Sequence, residues 1–184
     1  MSTVVEQNLR VAMRRETLEG LASYALPPGY SASWYAPGDE HAWLAVQSRA
    51  ERYLAIDMAL YRAEFGGDAA PLSQRQLFIR DAAGAPIGTA TAWFGDDRGG
   101  ETVGRVHWVA IVPEQQGRGL ARPMLGLVCR RLRDLGHTQG YLVTSTARVP
   151  AINLYRSFGF APDIATPEDA AVWRALTPFL KRQP

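Results

Sequence analysis

The chain has 184 residues, 47% of them hydrophobic and 21% charged, the make-up of a globular chain that at about 150 residues per domain forms one domain rather than two. A net charge of only +2, with no recognisable basic module, argues against nucleic acid as a partner. No run nears the ~18 apolar residues of a membrane span, so no membrane partner is expected. The single cysteine, Cys129, excludes an internal disulfide. Together with a start (residues 1–10) that lacks a signal-like apolar core, this points to a reducing, cytoplasmic setting. His41, His107 and His137 stand far apart and in no zinc-ligating spacing, so no metal is expected. Nineteen of the 20 basic residues are arginine. That bias suits phosphate and carboxylate contacts, or reflects genome composition.

Residues 4–25 read as helical, with Val5, Leu9, Ala12 and Met13 near one face, and Pro27-Pro28-Gly29 ends the segment. Residues 1–28 are therefore expected to be an N-terminal helical extension to a single domain over 29–184. Tyr30 to Tyr35 alternates as a strand. After Pro37-Gly38, Asp39 is placed to cap a helix over His41 to Glu51, and helical pattern continues to Phe65 before Gly66-Gly67 and Pro71 break it. Three strands follow, over Arg75–Arg80, Ile87–Phe94 and Thr102–Val112, the last two joined by a polar hairpin loop over Gly95–Gly100. A helix from Gly119 to Leu135 carries its apolar positions at spacings of 3 and 4 and stops at Gly136. Tyr141–Thr146 is a fourth strand in this series, Pro150–Phe158 a short helix, and Gly159-Phe160 begins another extended piece. Antiparallel strands followed by strand–helix–strand–helix predict a mixed α/β architecture: a mostly antiparallel central sheet flanked by helices, with one parallel crossover from Val112 to Tyr141.

That crossover contains Gln116-Gly117-Arg118-Gly119-Leu120-Ala121, between an apolar strand and the strongest helix. Glycines here let successive N–H groups converge on an anion, and the helix N-terminus adds about half a positive charge. Arg118 and Arg122, four apart, share the face of the first turn and can reach a phosphate. A tight turn with no ligand fits the same residues. A Walker loop is excluded because Leu120-Ala121 follows Gly119, and a dinucleotide fingerprint because Arg122 stands where a third glycine belongs.

Two stretches resemble the GCN5-related N-acetyltransferase (GNAT) superfamily. Val109 to Ala121 resembles its acetyl-CoA loop, whose signature Q/R-x-x-G-x-G/A is met by Gln116, Gly119 and Ala121. Ala151-Ile152-Asn153-Leu154-Tyr155-Arg156-Ser157-Phe158-Gly159-Phe160 resembles its second motif. The resemblance covers about residues 30–162. It implies an acetyl-CoA-dependent N-acetyltransferase in which a primary amine attacks the thioester directly, in a ternary complex. The backbone of Val109, Ala110 and Ile111 would pair with the pantetheine arm as an added strand, which requires splayed parallel strands at the cofactor site. The N–H groups of Gln116, Gly117, Arg118, Gly119, Leu120 and Ala121 would hold the pyrophosphate. Tyr155 falls at the family's general-acid tyrosine. Pro123 departs from a regular helix and requires the helix to begin near Leu120. Arg148 stands where the family has asparagine, and is taken as a substitute cofactor contact.

Free alkyl amines are protonated near neutral pH, so a base is useful. His107 titrates in the right range and, by period two, shares a row with Val109 and Ile111. A packing role is equally open to it, and Glu101 in the hairpin loop is the other candidate. Trp34, Tyr35, Trp93 and Trp108 either wall an acceptor pocket or pack the core. The acceptor, a small-molecule or protein amine, is not specified by sequence. A homodimer formed through the N-terminal segment and a non-catalytic acyl-CoA-binding module are the open alternatives.

Overall fold

The computed structural model describes residues 2–95 and 102–182. In chain order it contains β1 (Arg10–Arg15), β2 (Ser31–Trp34), α1 (Glu40–Ala50), α2 (Met58–Phe65), α3 (Ala69–Arg75), β3 (Gln76–Arg80), β4 (Pro86–Phe94), β5 (Val103–Ile111), α4 (Ala121–Asp134), β6 (Gln139–Ser145), α5 (Val149–Ser157), β7 (Ala161–Pro162) and α6 (Pro167–Leu176). The strands form one sheet in the order β2-β3-β4-β5-β6-β1-β7. Every neighbouring pair is antiparallel except β5 with β6. This is the mixed, mostly antiparallel sheet that the run of elements predicts. The expected hairpin loop, and Glu101 with it, falls on residues 96–101, outside the described ones.

Helix α4 lies on one face of the sheet. Its Met124, Leu125, Val128 and Leu132 are fully buried, and a Cβ on Gly88 of β4 would meet Ile111 and Met124 on this side. The helix begins at Ala121 with Leu120 as N-cap, which puts Pro123 in the first turn, where its missing N–H removes no helical bond. It ends as expected: Gly136 takes φ +90°, and the N–H of His137 reaches back to the carbonyl of Leu132. Helices α1 and α2 cover the other face over an aromatic cluster of Tyr35, Trp43, Tyr61, Phe65 and Phe78. Asp39 stands at the N-cap of α1 without capping it, because its carboxylate is held by the Arg80 guanidinium and the Ala36 N–H instead. The apolar pattern of residues 41–65 is cut by a loop at 51–57, and Asp57 caps α2 through the Leu60 N–H. Pro71 lies in the first turn of α3, which begins at Ala69, rather than breaking a helix. Helix α6 lies beyond the elements expected from sequence, although Thr166 and Asp169 form a complete capping box there.

The N-terminal segment corrects the expectation. Residues 10–15 are not helical; they form β1, inserted between β6 and β7 and antiparallel to both. Val11 and Met13 belong to the main core and Ala12 to a separate cluster with Val103 and Tyr141, so alternate residues face opposite sides and both sides are covered. A strand buried on both faces carries contiguous apolar residues, and over a few positions these cannot be told from a helical stripe. Residues 17–30 then run without regular structure over the outside of α4. Ala22 accepts from Arg130, Tyr24 packs on Phe158, and the Tyr30 hydroxyl hydrogen-bonds Gln115 at 2.9 Å.

Because Met13 is fully buried inside the sheet, Met13→Ala is expected to cost about 2–5 kcal/mol. A shift in the urea midpoint at unchanged m-value measures it. A residue on a dispensable extension would lose well under ~1 kcal/mol.

Candidate active site

Strands β5 and β6 are paired only at Val103–Gln139, Gly104–Gly140 and Arg105–Tyr141. Beyond Tyr141, β6 turns to β1, whereas β5 stays with β4 to Ile111, so the two parallel strands splay. The N–H of Val112 points to β4, where Ile87 accepts it at 2.9 Å. By alternation the backbone groups of Val109 and Ile111 point the other way, into the gap. Trp108 makes the divergence possible. It lies in the left-handed region at φ 48°, costly for a bulky side chain, and marks a bulge where the register with β4 jumps. Three contacts hold it there. Gln47 donates to its carbonyl at 2.9 Å, its indole N–H donates to Glu64 at 2.9 Å, and its ring packs edge-on to Trp43.

At the far end of β5 the chain passes through a single 3-10 turn, Pro113–Gln115, into the glycine segment. Gln116 turns its side-chain amide back to the Ile111 carbonyl at 2.9 Å. Gly117 and Gly119 adopt φ +76° and +80°, values that L-residues with a Cβ avoid. Among the described residues, the N–H groups of Gly117, Arg118, Gly119, Leu120, Ala121 and Arg122 have no acceptor; the next bond in the chain is Met124 to Leu120. A Cβ on Gly117 would meet nothing within 4 Å, and one on Gly119 only Pro27 at 3.9 Å, so the space beside both glycines is open. Arg118 and Arg122 are exposed next to them. Six N–H groups without an acceptor among the described residues, two arginines and a helix N-terminus fit a diphosphate, and the backbone of Val109 with the N–H of Ile111, whose carbonyl Gln116 already occupies, fits an extended amide-bearing arm. The residues present therefore suit coenzyme A.

Tyr155 on α5 is 6% exposed, and its hydroxyl has no hydrogen-bond partner among the described residues. Burial pushes its pKa up to about 12, so at neutral pH the ring carries its proton. Arg148 precedes α5 and pairs with Glu51 at 2.5 Å, a carboxylate only 7% exposed at the end of α1. This pair ties the β6–α5 junction to the start of the 51–57 loop.

His107 does not sit where period two places it. It faces Thr91 across the sheet while Ala110 faces Thr89. Opposed residues share a face, and so do Thr89 and Thr91, so His107 falls on the face of Ala110. The bulge has taken it out of the row of Val109 and Ile111 and turned it toward α2. There its Nε2 meets Glu64 Oε2 at 2.8 Å and its ring packs on Phe65 and Trp108. Neither Glu64 nor Gln47 is signalled by sequence, since each lies on a helix with no motif and meets its partner only in the fold. Of the four candidate pocket aromatics, Tyr35, Trp93 and Trp108 join this cluster, whereas Trp34 lies on the α4 side under the Arg131 guanidinium. A separate hollow of about 440 Å³ between β7 and α6 is lined by no carboxylate, histidine or cysteine.

The His107 hydrogen bond, followed by that of Trp108 and the charges of His107 and Arg105, outweighs desolvation and holds the Glu64 carboxyl at about 2 against its usual 4.5. A depressed carboxyl pKa stabilises the fold above the unfolded value and loses that contribution as pH falls through the folded one. Unfolding free energy is thus expected to drop more steeply between pH 4.5 and 2 in the wild type than in Glu64→Gln, as measured by denaturant titrations across that range.

The profile of the acetyltransferase (GNAT) family matches residues 33–160. A mycothiol acetyltransferase of Pseudarthrobacter chlorophenolicus is 34% identical over 157 residues, 80% of this chain and 48% of the relative. One from an Arthrobacter species is 32% identical over 149 residues, 76% of this chain and 45% of the relative. The chain thus spans about half the length of the curated relatives it matches. A GCN5-related N-acetyltransferase from Sphaerobacter thermophilus superposes with a TM-score of 0.70 at 20% identity, over 84% of this chain and 48% of that one. The splayed strands, the glycine cradle and the match over most of the chain agree, and the chain belongs to the acetyltransferase (GNAT) family.

Proposed function

We propose that this chain transfers an acetyl group from acetyl-CoA to the primary amine of a small molecule. The observation that carries the reading is the row of six N–H groups at residues 117–122 that have no acceptor among the described residues, next to the part of β5 from which β6 has parted. The mycothiol acetyltransferases among its relatives support a small-molecule acceptor over a protein one. Val109, Ala110 and Ile111 would hold the pantetheine arm. Gln116 and the residues from Gly117 to Arg122 would hold the pyrophosphate, and Arg148, tethered by Glu51, the region where the arm meets α5. When bound, acetyl-CoA supplies an acyl group activated as a thioester.

The chain's own groups divide the remaining work. The attacking amine must lose a proton, and His107 is the base placed beside the bulge. Because the ionised Glu64 can only accept, the neutral ring presents a protonated Nε2 to it, which fixes the orientation of the imidazole. The inward backbone N–H groups of Val109 and Ile111 are the donors available to a developing oxyanion. Tyr155 serves the departing sulfur. A phenol at about 12 facing a thiol near 8.5 would give up its proton uphill by more than three powers of ten. Tyr155 therefore stabilises the thiolate as a hydrogen-bond donor and keeps its proton, rather than acting as a full acid. The net reaction of an ammonium acceptor releases one proton to solvent.

Saturating acetyl-CoA at about 100 times its Kd is expected to stabilise the chain by about 2.7 kcal/mol, with ATP unable to match the shift. Tyr155→Phe is expected to lower kcat by about 10²- to 10³-fold while leaving the acetyl-CoA shift intact, followed by thiol release with a panel of amines. No shift with acetyl-CoA would overturn the reading; a shift without turnover of any amine would indicate a binding module.

A further inference from the structure

The two oxygens of Glu64 are used unequally. Oε2 takes both available donors, His107 Nε2 at 2.8 Å and Trp108 Nε1 at 2.9 Å. Oε1 has no partner among the described residues, and the side chain is 32% exposed. The carboxylate of α2 thus has one oxygen engaged twice by β5 residues and one without a partner among the described residues. The charged groups acting on it are His107 and Arg105 of β5, and neither bonds Oε1.

We propose that Glu64 Oε1 is the anchor for the acceptor's amine, accepting a hydrogen bond from a primary ammonium group and so selecting cationic aliphatic amines over neutral nucleophiles. An ammonium on Oε1 would lie next to the Glu64–His107 contact, and the other oxygen of the same carboxylate orients the imidazole. One side chain then recognises the acceptor and positions the ring beside it. This rests on the reading of the splay as an acetyl-transfer site, and the test separates the two.

The probe is n-propylammonium, with 1-propanol as its neutral isostere, titrated into the full chain saturated with CoA. The readout is the Trp108 indole N–H resonance, which reports on Glu64 directly. In the wild type, propylammonium is expected to move this resonance saturably and less strongly in added salt, and propanol is expected to leave it unmoved. In Glu64→Gln, propylammonium affinity is expected to fall about 10- to 100-fold, and KM for amine acceptors to rise by the same factor with KM for acetyl-CoA within about twofold. Equal response to ammonium and alcohol in the wild type, a comparison needing no variant, would overturn the proposal, as would wild-type ammonium affinity in Glu64→Gln. Ammonium binding that persists in a chain which acetyl-CoA fails to stabilise would leave Glu64 as an ammonium site and remove the acetyl-transfer reading instead.

Discussion

Everything at the candidate site depends on two parallel strands parting company. After Arg105 and Tyr141, β5 and β6 find other partners, and backbone groups that would otherwise satisfy each other are left open inside the domain. Unpaired main-chain groups are expensive to bury, and Val109 and Ile111 are left half-buried rather than sealed in, with the Ile111 carbonyl taken up by Gln116. The cost is compounded by Trp108, which stands at a positive φ. Its carbonyl, indole and ring are each held by a different residue, Gln47, Glu64 and Trp43. A backbone outlier fixed from three sides is strain maintained by its surroundings, as expected where geometry serves a ligand.

The bulge also divides the chemistry between the two faces of the sheet. Past it, β5 offers backbone to the gap and leads into the glycine cradle at the start of α4. Before it, His107 points to the α2 side, into an aromatic compartment whose low polarity strengthens its contact with Glu64. On the proposed reading the acid–base groups and the anion-binding groups are thereby kept apart while remaining within a few residues along one strand. Tyr155 stands on a third element, α5, its hydroxyl without a hydrogen-bond partner among the described residues. The reach of the Glu51–Arg148 pair from α1 to the β6–α5 junction ties the helical layer carrying Glu64 to the end of the gap where α5 begins.

The fold alone would not justify a substrate, since one scaffold hosts many acceptors. The chain's span of about half its mycothiol acetyltransferase relatives makes the local residues more informative than the whole-chain likeness. The proposed cationic acceptor rests on those residues, through a carboxylate whose second oxygen has no partner among the described residues. The proposed assistance to the leaving sulfur rests likewise on Tyr155, a buried donor that keeps its proton at neutral pH.

How much of this is legible in the sequence follows from the range over which each feature is encoded. Gln116, Gly117 and Gly119 are adjacent, and a turn that needs positive φ next to a helix start must be written as neighbouring glycines; helix α4 and its stop at Gly136 are equally local. The strand order of β3, β4 and β5 follows from short turns. The helix expected over residues 4–25 fails because β1 is buried on both sides by elements more than a hundred residues away, and six residues cannot record that. His107 is read correctly as a candidate but placed in the wrong row, since one bulged residue reverses every later side chain in a strand. Glu64, 43 residues from His107, and Glu51, 97 from Arg148, carry no signal at all. A charged residue on a helix looks the same whether it faces water or a histidine, and only the packing of α1 and α2 onto the sheet decides which.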